Sequence, residues 1–319
     1  MESPGLTVAR IALGCGNFGG VGSAPEFFGR GLTDDQAFGL MDAAWEAGIT
    51  HFDTADAYGG GRSERAIGRW ISSRGVRPAL TTKTFNPVEA GGDHGLEPER
   101  IARSLRASLD RLGIGSVDLY LAHDHDPDVP LAQTMAAFRD ARAEGLIGAY
   151  GVSNFTAAQL ATALAAGEAL GQGAPQAIQN SHSLLAREDE AGVLPLCAER
   201  GVAYLAFSPL AGGWLTGKYR PGAPYPPGSR MTQRPGPYRD LISDRTFDAL
   251  GRLRRIAAGR GMSLAGLALG WLLADERVSQ IVIGPGRPEH LAPVAEALGS
   301  PLTSTERAEI SAAAEGVTA

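Results

Sequence analysis

The 319-residue chain is 44% hydrophobic and 20% charged, the composition of a folded globular protein long enough for one barrel-sized domain or two smaller ones. Its formal net charge of −6, with no local run of Lys or Arg, excludes an extended basic footprint for nucleic acid. Two cysteines, Cys15 and Cys197, exclude a disulfide framework and fit a reducing compartment.

The opening "MESPGLTVARIALG" has neither a cationic start nor a long apolar segment. It does not read as a signal peptide, and a cytoplasmic location is expected. Short apolar runs then recur as candidate strands: "IALGCG" (11–16), "THFDT" (50–54), "ALTTK" (79–83), "VDLYLAH" (117–123), "GAYGVS" (148–153), "AIQN" (177–180), "VAYLAF" (202–207) and "QIVIG" (280–284). Between them "DDQAFGLMDAAWEAG", "EPERIARSLRASLDRLG" and "PLAQTMAAFRDARAEG" carry apolar residues at three- and four-residue spacing and stop near glycine, as helices do. Strand and helix alternating in this way predict an α/β protein, a single closed (β/α)8 barrel spanning residues 1–319. A doubly wound sheet is the rival, but no early GxGxxG opens a helix, and "CGNFGG" does not meet that pattern. The stretch between Phe207 and Gln280 is too long for a simple crossover, and its first part is rich in Gly, Pro, Arg and Tyr. Such a loop on the C-terminal face of a barrel predicts a cofactor or substrate loop. "SLAGLALGWLLADE" is short and ends in charges, so it reads as a buried helix rather than a membrane span.

"HFDTADAYGGG" (51–61) places polar side chains where a buried strand should end. In a barrel the strand ends converge, which brings Asp53, with Tyr58 in the following loop, towards Lys83 and His123. Taken singly, each has an ordinary explanation: Asp53 as a turn cap, Tyr58 as packing, Lys83 as surface charge. Together they have complementary chemistry. Asp53 would hold the Lys83 ammonium charged, the ammonium would lower the Tyr58 pKa from about 10, and His123 would orient a carbonyl oxygen. A tyrosine acid without metal ligands suits carbonyl reduction by an external hydride donor. "HDHD" (123–126) also admits a divalent-metal reading, but further clustered ligands are lacking, and no metal is expected.

"HFDTADAYGGGRSE", "TTK", "VDLYLAH", "GVSNF" and "AFSPLAGGWLTGKY" resemble, in order and over nearly the whole chain, the motifs of the aldo-keto reductase superfamily. The resemblance implies a catalytic tetrad of Asp53, Tyr58, Lys83 and His123. It implies that Ser153, Asn154 and Gln179 hold a nicotinamide carboxamide, that Phe207 stacks on the nicotinamide ring, and that Asp53, Gly16, Asn17 and Phe18 lie beside cofactor and substrate. Ser208, Pro209, Leu210 and Gly212 of "SPLAGG" offer backbone amides to the pyrophosphate. Lys218, one of only two lysines in the chain, and Arg230 resemble basic residues that close over the cofactor phosphates. "VIGPGRPEH" supplies Ile283, Gly284, Gly286, Arg287 and His290 at the adenosine end, with Arg287 as the candidate for the 2′-phosphate. Ser181 and His182 stand where related chains commonly read Glu-Tyr. The expected cofactor is NADPH, with NADH still open, and the expected partner is a small carbonyl substrate, bound by a monomer or homo-oligomer. Two other activities share these sites, an aldose 1-dehydrogenase working oxidatively and a cofactor-binding regulatory subunit resembling potassium-channel β subunits.

Overall fold

The structure, a computed structural model, describes residue 6, residues 8–171 and residues 173–317. Eight parallel strands close into one barrel in sequence order: β1 (Ile11–Gly14), β2 (His51–Asp53), β3 (Ala79–Thr84), β4 (Val117–Ala122), β5 (Ile147–Ser153), β6 (Ala177–Ser181), β7 (Ala203–Phe207) and β8 (Val278–Ile283). Each falls on an expected apolar run, and β8 pairs back onto β1 through Ile11↔Ile281 and Leu13↔Ile283.

The crossovers carry α1 (Asp34–Glu46), α2 (Arg62–Arg74), α3 (Pro98–Leu112), α4 (Leu131–Ala143), α5 (Ala157–Ala169) and α6 (Val193–Arg200). Local chemistry sets their starts. Thr33 and Gln36 exchange side-chain and backbone hydrogen bonds at the head of α1, and Thr156 and Gln159 do the same for α5. The inward stripe Ala37, Leu40, Met41 and Ala44 then seats α1 on the sheet. After β7 the long connection forms two 3-10 turns, Ala211–Thr216 and Gly236–Leu241, around the short α7 (Arg230–Gln233), followed by α8 (Asp244–Gly259) and α9 (Leu264–Leu273). The "SLAGLALGWLLADE" segment is α9, with Leu264 to Leu272 all buried. Among the described residues no single helix is long and apolar enough to cross a membrane; α8 and α9 pass only when joined, across an 87° bend. The chain closes with α10 (Ala292–Gly299) and α11 (Ser304–Ala313).

Two apolar layers follow from the two-residue period of the strands. Leu119, Leu121, Ala149, Ala177, Ala203 and Leu205 fill the barrel, while Phe52, Trp70, Tyr120, Phe138 and Trp271 belong to the layer between sheet and helices. The alternation fixes which polar residues face inward. Thr81 pairs with Leu119 and Lys83 with Leu121, so Lys83 shares the inward face, and His123 follows Leu121 by two. One level further in, His51 bonds Thr81 Oγ1 at 2.8 Å and Gln280 at 2.9 Å, a polar layer beneath the mouth.

Candidate active site

Asp53, Lys83 and His123 are the last inward side chains of their strands or the residue just beyond, so three segments deliver them to one rim. The Lys83 ammonium donates to Asp53 Oδ1 at 2.6 Å and to the Thr54 carbonyl at 2.7 Å, and Gln179 Nε2 donates to Asp53 Oδ2 at 2.7 Å. Lys83 and Asp53 are 0% and 2% exposed, so this pair is out of water, with two ammonium donors and both Asp53 carboxylate oxygens engaged. Burial is the largest influence and opposes the ammonium, but the charge and hydrogen bond of Asp53 together with those of Tyr58 outweigh it and the Lys83 pKa is raised.

Tyr58 arrives on the glycine-rich turn after β2. Its ring centre lies 5.1 Å from the Lys83 ammonium and 5.5 Å from the His123 ring, which it meets edge-on. Gly16, after β1, faces the Tyr58 ring, which a β-carbon there would meet at 3.5 Å, an ordinary van der Waals distance. The expected lowering of the Tyr58 pKa is not found. Burial raises it more than the Lys83 charge lowers it, which keeps the phenol protonated at neutral pH. His123 is held well below its ordinary pKa, by burial first and then by Lys83 and Arg234, so the ring is neutral. The rest of "HDHD" organises its loop. Asp124 accepts from the His125 amide, while Asp126 accepts from the amides of Leu96 and Asp128. Among the described residues no group of three or more His, Cys, Asp or Glu is placed to hold a metal.

The residues expected at the nicotinamide carboxamide lie side by side on β5 and β6, with part of their bonding already used. Asn154 Nδ2 donates to the His123 carbonyl at 2.8 Å, Ser153 Oγ donates to the Gln179 carbonyl at 2.7 Å, and Gln179 Nε2 is engaged by Asp53. What remains at Asn154 and Gln179 are amide oxygens, acceptors that fit the NH₂ of a carboxamide. Phe207, half-buried at the end of β7, leaves ring surface at the mouth. Among the described residues three non-glycine residues adopt left-handed backbone, Asn154 (φ 60°), Ser208 (φ 53°) and Ala211 (φ 46°), all just beyond β5 or β7 on this face. Ser208 Oγ bonds the Tyr238 hydroxyl at 3.0 Å, tying the end of β7 to the long connection. Pro209 is buried and Leu210 half-buried in the same turn.

Gly213 (φ 96°) turns where any β-carbon would sit 2.5 Å from Lys218 Cε, and the neighbouring Gly212 (φ 62°) packs on the Tyr238 ring. Lys218 is thereby folded back over the turn. Its pKa is lowered by burial and by the charges of Arg230 and Arg287. His290 lies 3.2 Å from the Gly286 amide and 3.1 Å from Arg287 Nε, its pKa lowered by burial and by Arg287 and Lys218. Arg287 has Glu289 at 3.9 Å, an exposed and weak partner. Lys218, Arg230, Arg287 and His290 are thus grouped closely enough for their charges to act on Lys218 or His290, an arrangement whose charge suits an anion. Phe18 is 1% exposed and Ile283 4%, both in the core, and Asn17 Nδ2 bonds the Pro285 carbonyl at 2.9 Å, linking the β1 and β8 exits. Gly284 borders open space.

The sequence reading missed a second polar cluster directly behind the mouth. Glu64, fully buried, accepts from Thr82 Oγ1 and from Arg111 Nε, each at 2.6 Å. Asp56 beside it has no hydrogen-bond partner on either carboxylate oxygen, and burial with the charge of Glu64 raises its pKa to about 7. The signal was present: Asp56 and Glu64 lie within "HFDTADAYGGGRSE" but drew no role. Ser181 and His182 diverge. Ser181 is exposed at the mouth, whereas His182 is buried in the outer layer, 5.8 Å from the Tyr204 ring and 5.3 Å from Trp271, away from the nicotinamide residues.

The model of the aldo/keto reductase family matches residues 10–315 of the chain. A probable voltage-gated potassium channel subunit beta of Oryza sativa subsp. japonica is 31% identical over 85% of this chain and 84% of the relative. The L-glyceraldehyde 3-phosphate reductase of Escherichia coli O157:H7 is 33% identical over 95% of this chain and 87% of that protein. Among solved structures, a thermostable aldo-keto reductase crystallised with the inhibitor epalrestat superposes with a TM-score of 0.75 at 28% identity, covering 96% of this chain and 95% of that one.

Proposed function

This chain belongs to the aldo/keto reductase family and is an NADP(H)-dependent oxidoreductase, and from that premise we propose that it reduces an aldehyde or ketone to the alcohol with Tyr58 as proton donor. One observation carries the reading. A protonated Tyr58 stands beside a buried, hydrogen-bonded Lys83–Asp53 pair and a neutral His123 at the barrel mouth. A bound NADPH supplies the hydride. Ser153, Asn154 and Gln179 hold the carboxamide, Phe207 backs the ring, and the turn Ser208 to Gly212 meets the pyrophosphate. Lys218, Arg230, Arg287 and His290 take the phosphates. The neutral His123 ring offers an N–H to the substrate oxygen and orients it. As negative charge gathers there, Tyr58 gives up its proton, and the Lys83 ammonium stabilises the phenolate left behind. Asp53 acts on Lys83 rather than on substrate.

Residues 1–319 then form one catalytic domain, acting in the cytoplasm on a small molecule as a monomer or homo-oligomer. A second reading, a cofactor-binding regulatory subunit, is favoured by the likeness to the rice potassium-channel β subunit. A spectrophotometric screen of NADPH and NADH with aldehydes, ketones and sugars, run in both directions, separates these. Steady NADPH oxidation with a carbonyl compound supports the reductase, and NADP⁺ reduction confined to sugars moves the assignment to an aldose 1-dehydrogenase. Tight NADPH binding without turnover on any substrate class sinks both and leaves the regulatory subunit.

A further inference from the structure

Four cations of the long connection and the β8 exit divide into two groups. Lys218, Arg230 and Arg287 lie close enough to depress the Lys218 pKa. Arg234 stands apart at the end of α7, and its charge reaches Tyr58 and His123 instead. Its position is defined by contacts with the segment after β1. Arg234 Nη1 is 3.5 Å from the Val21 carbonyl, and its guanidinium carbon lies 5.9 Å from the centre of the Phe27 ring. A β-carbon on Gly22 would collide with that guanidinium. The Gly22 amide donates to the Gly16 carbonyl at 2.6 Å, and Gly16 lies against the Tyr58 ring. Arg234 therefore lies on the side of the mouth bounded by the β1 exit, near enough for its charge to act on Tyr58 and His123.

This guanidinium is half-buried, and among the described residues no carboxylate lies within 4.0 Å of it. Its single hydrogen bond is long, so most of its five donors are free. A fork of donors on a partly dehydrated, unpaired cation matches a planar or tetrahedral oxyanion bidentately. Packing on Phe27 alone would not require a charge.

We propose that Arg234 selects the substrate: it binds an oxyanion, phosphate or carboxylate, carried by the carbonyl compound that this enzyme reduces. The inference rests on the reductase reading for the identity of the reaction, but its test does not depend on turnover. The NADPH-saturated protein, in which cofactor and titrant are both reduced and no hydride can pass, is titrated calorimetrically with glycerol 3-phosphate, with glycerate and with glycerol. At least one anion binds and glycerol does not; which anion binds tells phosphate from carboxylate. Arg234→Gln weakens that binding by about 10- to 100-fold, the scale of one charge-assisted hydrogen-bonding partner, while Arg234→Lys retains part of it. The affinity for NADPH stays within about twofold in both variants, given the contribution left at the phosphate cluster. Three results overturn the proposal: no preference of the wild-type protein for either anion over glycerol, equal anion affinity in Arg234→Gln, or a matching loss of NADPH affinity, which would place Arg234 with the cofactor. A failed carbonyl screen counts against the reductase reading alone, since no hydride transfer enters this titration.

Discussion

Replacing Lys83 by methionine keeps most of the side-chain stem and removes only the charge and its hydrogen bonds. In the wild-type protein the ammonium is bonded to Asp53 at 2.6 Å and to the Thr54 carbonyl at 2.7 Å, with side-chain exposures of 0% and 3% for Lys83 and Asp53. Removing one member of such a pair strands the other, at a cost of about 3–5 kcal/mol. Gln179 still donates to Asp53 Oδ2, which places the expected loss near the lower end, about 3 kcal/mol. The Asp53→Asn/Lys83→Met double variant has no stranded charge and should recover more than half of that loss. Both variants should lose at least about 10²-fold in turnover, since neither keeps the cation proposed to stabilise a Tyr58 phenolate. Urea unfolding at pH 7 reads the first quantity from the midpoint at constant m, and NADPH oxidation reads the second. The raised Lys83 pKa places the pair's contribution below about pH 10.5, so pH 7 samples it in full. A single variant within about 0.5 kcal/mol of wild type, or a double variant less stable than the single, would refute the reasoning.

Tyr58→Phe should bind NADPH normally and lose at least about 10²-fold in carbonyl reduction; near-normal turnover on several substrates would remove Tyr58 from its role. Asp56 gains protons on folding, because its pKa rises from 3.8 to about 7. Its contribution is therefore full below pH 4 and lost as pH rises to 7. At about 1.4 kcal/mol per unit, Asp56→Asn should become more stable than wild type by up to about 4 kcal/mol at pH 8, with little difference at pH 4; parallel stability curves for the two proteins would contradict this. Arg287→Ala should weaken NADPH and spare NADH if it reads the 2′-phosphate, as fluorescence titration with both cofactors would show; equal losses would assign that phosphate elsewhere.

All eight strands were legible because a barrel strand buries both faces, so a short apolar run bounded by glycine and polar residues marks it without ambiguity. The strand-end residues were legible for a related reason. A polar side chain such as Asp53 or Lys83, one step past an apolar run, has no structural excuse once strand ends converge. What the sequence hid were quantities set by three-dimensional surroundings. Cation and burial act on Tyr58 with opposite signs, and only the packed structure shows that burial prevails. His182 could not be placed from its neighbours in "QNSHSLL", since the strand ends at Ser181 and the side chain turns outward to Trp271. Arg234 lay in a stretch without periodicity, and its approach to the Tyr58 side depends on contacts with Val21 and Phe27 that no local pattern encodes.

The bond between Asn17 and the Pro285 carbonyl joins residues 268 positions apart, and β1 and β8 zip together along the same seam. Contacts of such sequence separation form late, since a long loop must close before they repay its entropy. A nascent chain that has emerged through β7 already holds Asp53, Tyr58, Lys83 and His123, yet its sheet is still open at the β1 edge. Synthesis proceeds at about 5–20 residues per second, so the last strand trails the tetrad by many seconds. The segment after β7 thus brings both the closing strand and Arg287, and a chain cut before β8 is left with an unpaired edge at β1.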